Sequence, residues 1–150
     1  MLFKQAAKGD ERIYGTYQNV EASSLTTGYA VALAQGTAGA SFNGTQVCLA
    51  GTAAAGRQTG WIGIAAQDIA PNAYGIVQMY GSVASVFVSN VGSSITLTPG
   101  DACVPGALAG SVFSAVPTWL NSGFGVIIAS NCLPAVSAAG WMSGFMRHAL

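Results

Sequence analysis

The sequence predicts an all-β fold, a single-domain sandwich or barrel with glycine-rich loops, and three observations lead there. Short β-prone segments recur from residue 12 onward at intervals of about 8 to 16 residues, set apart by glycine, proline, asparagine and serine, which is the rhythm of sandwiches and barrels. Helical periodicity is scarce. Twenty glycines are spread through the 150 residues; each would cost about 1 kcal/mol inside a helix, whereas in turns they supply positive φ cheaply.

Taken in order, the predicted strands are residues 13–20, 29–34, 46–50, 61–66, 75–80, 83–89, 102–104, 111–114 and 124–130. The segment 29–34 runs into Gln35-Gly36, 61–66 into Gln67-Asp68, and 124–129 into Ser130-Asn131, so turn signals close each one. Residues 68–75, with Pro71, Asn72 and Gly75, read as a turn that delivers the chain into Ile76-Val77-Gln78-Met79-Tyr80. Gly81 then punctuates before residues 83–88, which makes 75–80 and 83–89 a hairpin candidate. Val83 and Phe87 fall on one face of its second arm and Ala84, Val86 and Val88 on the other, so that arm is expected to be buried on both sides. Pro99-Gly100 turns the chain into Cys103-Val104, and Pro105 ends that strand. Residues 36–44 and 51–60 are small-residue surface loops. The tail, 136–150, carries Trp141, Met142, Phe145 and Met146 and fits either a last strand or a short C-terminal helix.

Charge divides the chain. Six of its ten charged side chains, Lys4, Lys8, Asp10, Glu11, Arg12 and Glu21, lie in the opening stretch, and only Arg57, Asp68, Asp101 and Arg147 follow. A solitary soluble domain keeps about a quarter of its residues charged, because charged groups hold its surface in water and keep copies apart. A body this neutral is expected to be covered by copies of itself or by a larger assembly. Residues 1–12 therefore read as an N-terminal arm and 13–150 as one β-rich domain with one core.

The same numbers bear on the other classes. Hydrophobic residues make up 51% of the chain, yet the apolar runs are short and broken, and none supplies the roughly 20 consecutive apolar residues of an apolar spanning helix. The start has no apolar run of about 7 residues behind its lysines, so no secretory signal is read there. Net charge is formally +0 with no basic block, which speaks against nucleic-acid binding, since phosphate neutralisation needs clustered Lys or Arg. Cys48, Cys103 and Cys132 are odd in number and far apart, and His148 is the single histidine. They are read as buried reduced thiols rather than a disulfide framework or a zinc site.

Candidate chemistry is sparse. His148 lies two residues from the last one given, and Asp68 and Asp101 both fall at turn signals, where an aspartate binds nearby backbone N–H groups. No catalytic, metal or cofactor-binding residue is assigned, and the chain is expected not to be an enzyme. Of the three tryptophans, Trp61 opens an apolar strand and is expected inside; Trp119, in Pro117-Thr118-Trp119-Leu120-Asn121, is the candidate exposed aromatic.

The run Trp61-Ile62-Gly63-Ile64-Ala65-Ala66, then Tyr74-Gly75-Ile76-Val77-Gln78-Met79-Tyr80-Gly81, then Ala84-Ser85-Val86-Phe87-Val88, then Pro99-Gly100-Asp101 with Val104-Pro105-Gly106-Ala107, resembles the small capsid decoration (cement) proteins of tailed bacteriophages. Residues 124–129 fit the same pattern, so the resemblance covers roughly 60–130; the first 60 residues and the tail carry no match. It implies a β-rich virion protein, put together in the host cytoplasm, that binds the exterior of an assembled head and stabilises it. The implied partner is the major capsid protein; the near-absence of charge adds further copies of this chain, with a trimer expected. Leu2, Phe3, Lys4 and Lys8 are the candidate capsid contacts, because the arm joins an apolar start to both of the chain's lysines. The alternative is a head-fibre, tail or carbohydrate-binding virion module, which exposure of Trp119 would favour.

Overall fold

A computed structural model describes residues 11–34, 44–50, 61–89, 98–100, 102–105, 113–115, 125–128 and 139–147. Among them no helix forms, and the strands are β1 (Ile13–Asn19), β2 (Ala30–Leu33), β3 (Gln46–Leu49), β4 (Trp61–Ala65), β5 (Tyr74–Ser89), β6 (Ala102–Pro105), β7 (Phe113–Ala115), β8 (Gly125–Ile128) and β9 (Ala139–Arg147). The all-β expectation holds. The tail, which fitted a helix or a strand, is strand β9, because it lies antiparallel between β5 and β8 and fills its backbone hydrogen bonds there.

The hairpin expected at Gly81 does not form. Residues 74–89 are one 16-residue strand; Gly81, at φ +100, deflects it without reversing it. The two halves find different partners: the first pairs with β1 and β4, the second with β9 and β7. A Cβ on Gly81 would lie 2.1 Å from the Glu11 carbonyl oxygen, so glycine also lets the start of β1 approach the bend. Burial of both faces of the second half is likewise corrected. A register shift between Val83 and Val86 puts Val83, Val86 and Val88 in the interior and leaves Ala84 and Ser85 exposed.

Pairings along the nine strands run β1-β3-β2-β4-β5-β7-β6-β8-β9, with closures between β1 and β5 and between β5 and β9. Two five-stranded rings result, and they share β5. They also share a topology: the first strand is parallel to the third, and every other contact is antiparallel. The register repeats as well. Gly15, Thr16 and Tyr17 face Val77, Ile76 and Gly75 in the first ring; Val86, Phe87 and Val88 face Met142, Trp141 and Gly140 in the second. The turn before the second strand of each ring repeats too, Leu25-Thr26-Thr27-Gly28-Tyr29-Ala30 against Leu97-Thr98-Pro99-Gly100-Asp101-Ala102. Gly28 and Gly100 both take positive φ, +86 and +99. The chain is a doubled barrel.

Strand alternation fixes the inside of the first ring. Leu25, Val31, Val47, Ala65, Ile69 and Val77 form one buried cluster, with Tyr17 packed against it. A five-stranded ring is narrow, so small residues are needed within it: a Cβ on Gly75 would meet Ile69 Cγ1 at 2.4 Å. A second cluster joins the opposite faces of β2, β3 and β4 (Ala30, Ala32, Cys48, Trp61, Ile64) to Val83, Val86, Val88, Cys103, Met142 and Met146. The single core expected for this length is thus divided in two, with the second part fusing the rings. Cys48 and Cys103 are buried thiols that form no disulfide with each other, in line with the sequence reading; Cys132 lies outside the described residues.

Candidate interaction surface

The outer face of β1 and β5 in the first ring carries three exposed bulky side chains, Tyr14, Tyr74 and Ile76, beside the polar Thr16 and Gln18. Gln18 faces Tyr74 and Thr16 faces Ile76 across the antiparallel ladder, with Tyr14 on the same face opposite Gln78. Tyr14 is 47% exposed, Tyr74 63% and Ile76 41%. Single exposed apolar side chains are ordinary, but a row of them along two paired strands marks an interaction site.

The equivalent face of the second ring is covered in part by the chain itself. Phe87 and Trp141 are cross-strand partners there, their rings 5.0 Å apart. The turn at Gly28 lies on them: the Phe87 N–H donates to the Gly28 carbonyl at 3.1 Å. Tyr29 places its ring 5.5 Å from Phe87 and 6.3 Å from Trp141. A Cβ on Gly28 would stand 2.4 Å from Trp141 Cζ3, so glycine is required for closeness as well as for φ. Trp141 keeps 48% of its surface exposed beyond this cover.

Asp68 anchors that turn. Its Oδ1 accepts from the Thr27 N–H at 2.7 Å and from the Thr27 hydroxyl at 2.8 Å. The backbone bond first, and the hydroxyl second, hold its carboxyl below the ordinary aspartate value. A depressed carboxylate pKa stabilises the fold above about pH 4 and loses that contribution as pH falls through the folded value. Asp68→Asn should therefore lower the melting temperature slightly at pH 7, and the gap from the unsubstituted protein should narrow toward pH 2. An equal gap at both pH values would show that the charge is not involved.

The other sequence-derived candidates fall as follows. Trp61 is buried, as expected, and its Nε1–H donates to the Gly63 carbonyl at 2.9 Å. Leu2, Phe3, Lys4, Lys8, Asp101, Trp119 and His148 lie outside the described residues. Among the described residues no three His, Cys, Asp or Glu side chains gather as a metal site, and no helix is long and apolar enough to cross a membrane. Sequence reading missed the face built by Tyr14, Tyr74 and Ile76. Its signal was present as alternating bulky residues in 13–17 and 74–80, but alternation alone does not say which face a neighbour will cover.

No protein-family model matches the chain, and no curated protein does. Among solved structures, the chain is similar to the N base of the head fiber protein gp8.5 of bacteriophage phi29. Identity is 12% and the TM-score 0.45, with 91% of this chain and 94% of that one covered. A likeness of that size carries no argument about function.

Proposed function

We propose that this chain is a virion structural protein of a bacteriophage, attached to the outside of the capsid as a decoration or cement protein. The observation that carries the reading is a β-rich body nearly without charge after Glu21 that leaves a row of bulky side chains, Tyr14, Tyr74 and Ile76, exposed. The residues between 60 and 130 that resemble decoration proteins support it. Its action is mechanical: copies bridge neighbouring capsid subunits, and many modest contacts sum over the lattice to oppose separation. The N-terminal arm, with Leu2, Phe3, Lys4 and Lys8, docks on the shell.

Purified protein added to undecorated phage heads is expected to co-sediment with them and to raise their resistance to heat. Deleting residues 2–10 should weaken attachment about 10-fold or more, since such a segment adds contact area at no cost to the core. Thermal unfolding of the isolated chain should barely move. High salt should weaken attachment if Lys4 and Lys8 meet acidic groups. Full attachment by the truncated chain would remove the arm from the proposal, and failure of the intact chain to bind any head would remove the proposal itself. The half-exposed Trp141, flanked by Tyr29 and Phe87, favours the second reading, a carbohydrate-binding virion module, because sugar rings stack on such platforms. Binding to a glycan panel that Trp141→Ala abolishes would select it.

A further inference from the structure

From the doubled architecture we infer that copies of this chain join head to tail, the turn at Pro99-Gly100 of one copy seating on the Tyr14, Tyr74 and Ile76 face of the next. This adds a contact between copies to the reading above, and it rests on the internal repeat rather than on any capsid.

The intramolecular contact supplies the template. In the repeat, Trp141 stands where Ile76 stands, each one residue beyond a glycine, Gly140 or Gly75, at matching ladder positions. Phe87 corresponds to Thr16, and the backbone position of Ala139 to that of Tyr74. The turn of the first ring, Thr27-Gly28, covers Phe87 and Trp141 of the second ring within one molecule. The turn of the second ring, Pro99-Gly100, has the same placement before its strand and the same positive φ, but it is exposed, and a Cβ on Gly100 would meet nothing within 4 Å. The face of the first ring is also exposed. Each molecule thus makes one contact internally and keeps one exposed turn and one exposed face that are counterparts of that contact.

A turn-to-face contact between unlike surfaces is heterologous, so it propagates until a ring closes or a filament extends. The uncovered face suits a second copy chemically. It presents two tyrosines, Tyr14 and Tyr74, and tyrosine supplies large amphipathic contact area at low entropic cost. With a formal net charge of +0, little repulsion opposes the approach.

Sedimentation velocity of the full chain, without heads, tests this from micromolar to near-millimolar concentration. The unsubstituted protein should associate with rising concentration. Ile76→Arg breaks the face and Pro99→Arg the turn; each should weaken association about 10-fold or more. Both positions are exposed, and an unchanged circular-dichroism melt checks each fold. An equimolar mixture of the two variants retains one intact turn and one intact face, so it should form a 1:1 dimer that grows no further. That dimer would also show both variants to be folded. The inference is overturned if the unsubstituted protein stays monomeric throughout, if Pro99→Arg assembles as the unsubstituted protein does, or if the mixture stays monomeric. Head binding is measured separately, so loss of one result leaves the other standing.

Discussion

Gly63→Ala should destabilise this protein through a backbone clash between two strands that neither can relieve. A Cβ at Gly63 would lie 2.1 Å from the Gln78 carbonyl oxygen, 3.0 Å from the Gln78 carbonyl carbon and 3.0 Å from Val77 Cγ1. Two of these are backbone atoms of β5, so no side-chain rotation relieves the clash. Nor can β4 simply withdraw. Ile64 and Ala65 pair with Gln78 and Val77 in the same ladder, Val31 pairs with Gly63 from the other side, and the Trp61 indole is tied to the Gly63 carbonyl. Separating the strands would also open the ring that encloses Val31, Val47 and Val77. A cost of about 3 kcal/mol or more is expected, the upper range for overpacking. For a chain of this size that is a fall of about 10 °C in melting temperature. Gly44→Ala is the control, because φ at Gly44 is +70 but nothing lies within 4 Å of an added Cβ. It bears only the backbone strain, about 1 kcal/mol. Equal losses from the two changes would show that β4 and β5 do not approach as closely as described.

Local chemistry is what the sequence made legible. Strand positions from 13 to 66 were readable because β-branched and aromatic residues stop at Gln35-Gly36 and Gln67-Asp68. The turn at Pro71-Asn72 was readable too: proline presets φ at the first central position, and asparagine tolerates the φ of 62 seen at the second. Partners were not legible. Gly81 gives the same signal whether it reverses a strand or deflects one between two rings, and only the identity of the pairing strands, β1 and β9, decides. The repeat was hidden for a related reason. Its halves agree in register and topology, which depend on backbone hydrogen bonds, while the side chains share little beyond the Leu-Thr-x-Gly-x-Ala turn. The uncovered face of Tyr14, Tyr74 and Ile76 escaped notice because its meaning is comparative: it stands out only beside the covered face of Phe87 and Trp141.

Asn19→Leu should give the largest loss among the polar positions, since Asn19 is fully buried and every hydrogen bond it makes ties β1 to another segment. Its Nδ2 donates to the carbonyls of Ser23 and Ile69, each at 2.9 Å, and its Oδ1 accepts from the Glu21 N–H at 2.8 Å. Its own N–H donates to the Ala73 carbonyl at 2.9 Å, and its carbonyl accepts from the Asn72 N–H at 2.8 Å. One side chain therefore closes the turn after β1 and holds it to the segment between β4 and β5. Leucine nearly conserves the volume but removes both donors and the acceptor: the Ile69 carbonyl keeps only the Leu25 N–H, and the Ser23 carbonyl and Glu21 N–H lose their tie to β1. At about 1–3 kcal/mol for a buried hydrogen bond lost, and less where water reaches the turn, a net loss of about 2 kcal/mol is expected in urea unfolding. Asn19→Asp separates the donor role from shape. It keeps the acceptor for Glu21 but turns a second oxygen, and a buried negative charge, toward the Ser23 and Ile69 carbonyls. Burial and those carbonyls favour the protonated acid, which donates one hydrogen bond, so the folded-state pKa of this aspartate should be raised. Its deficit relative to the unsubstituted protein should then be largest at pH 7 and shrink as pH falls below the raised pKa, the reverse of a carboxylate held in a salt bridge. A deficit that does not change between pH 7 and pH 4 would mean that water reaches the site and that the amide's donors are not what holds the two segments together.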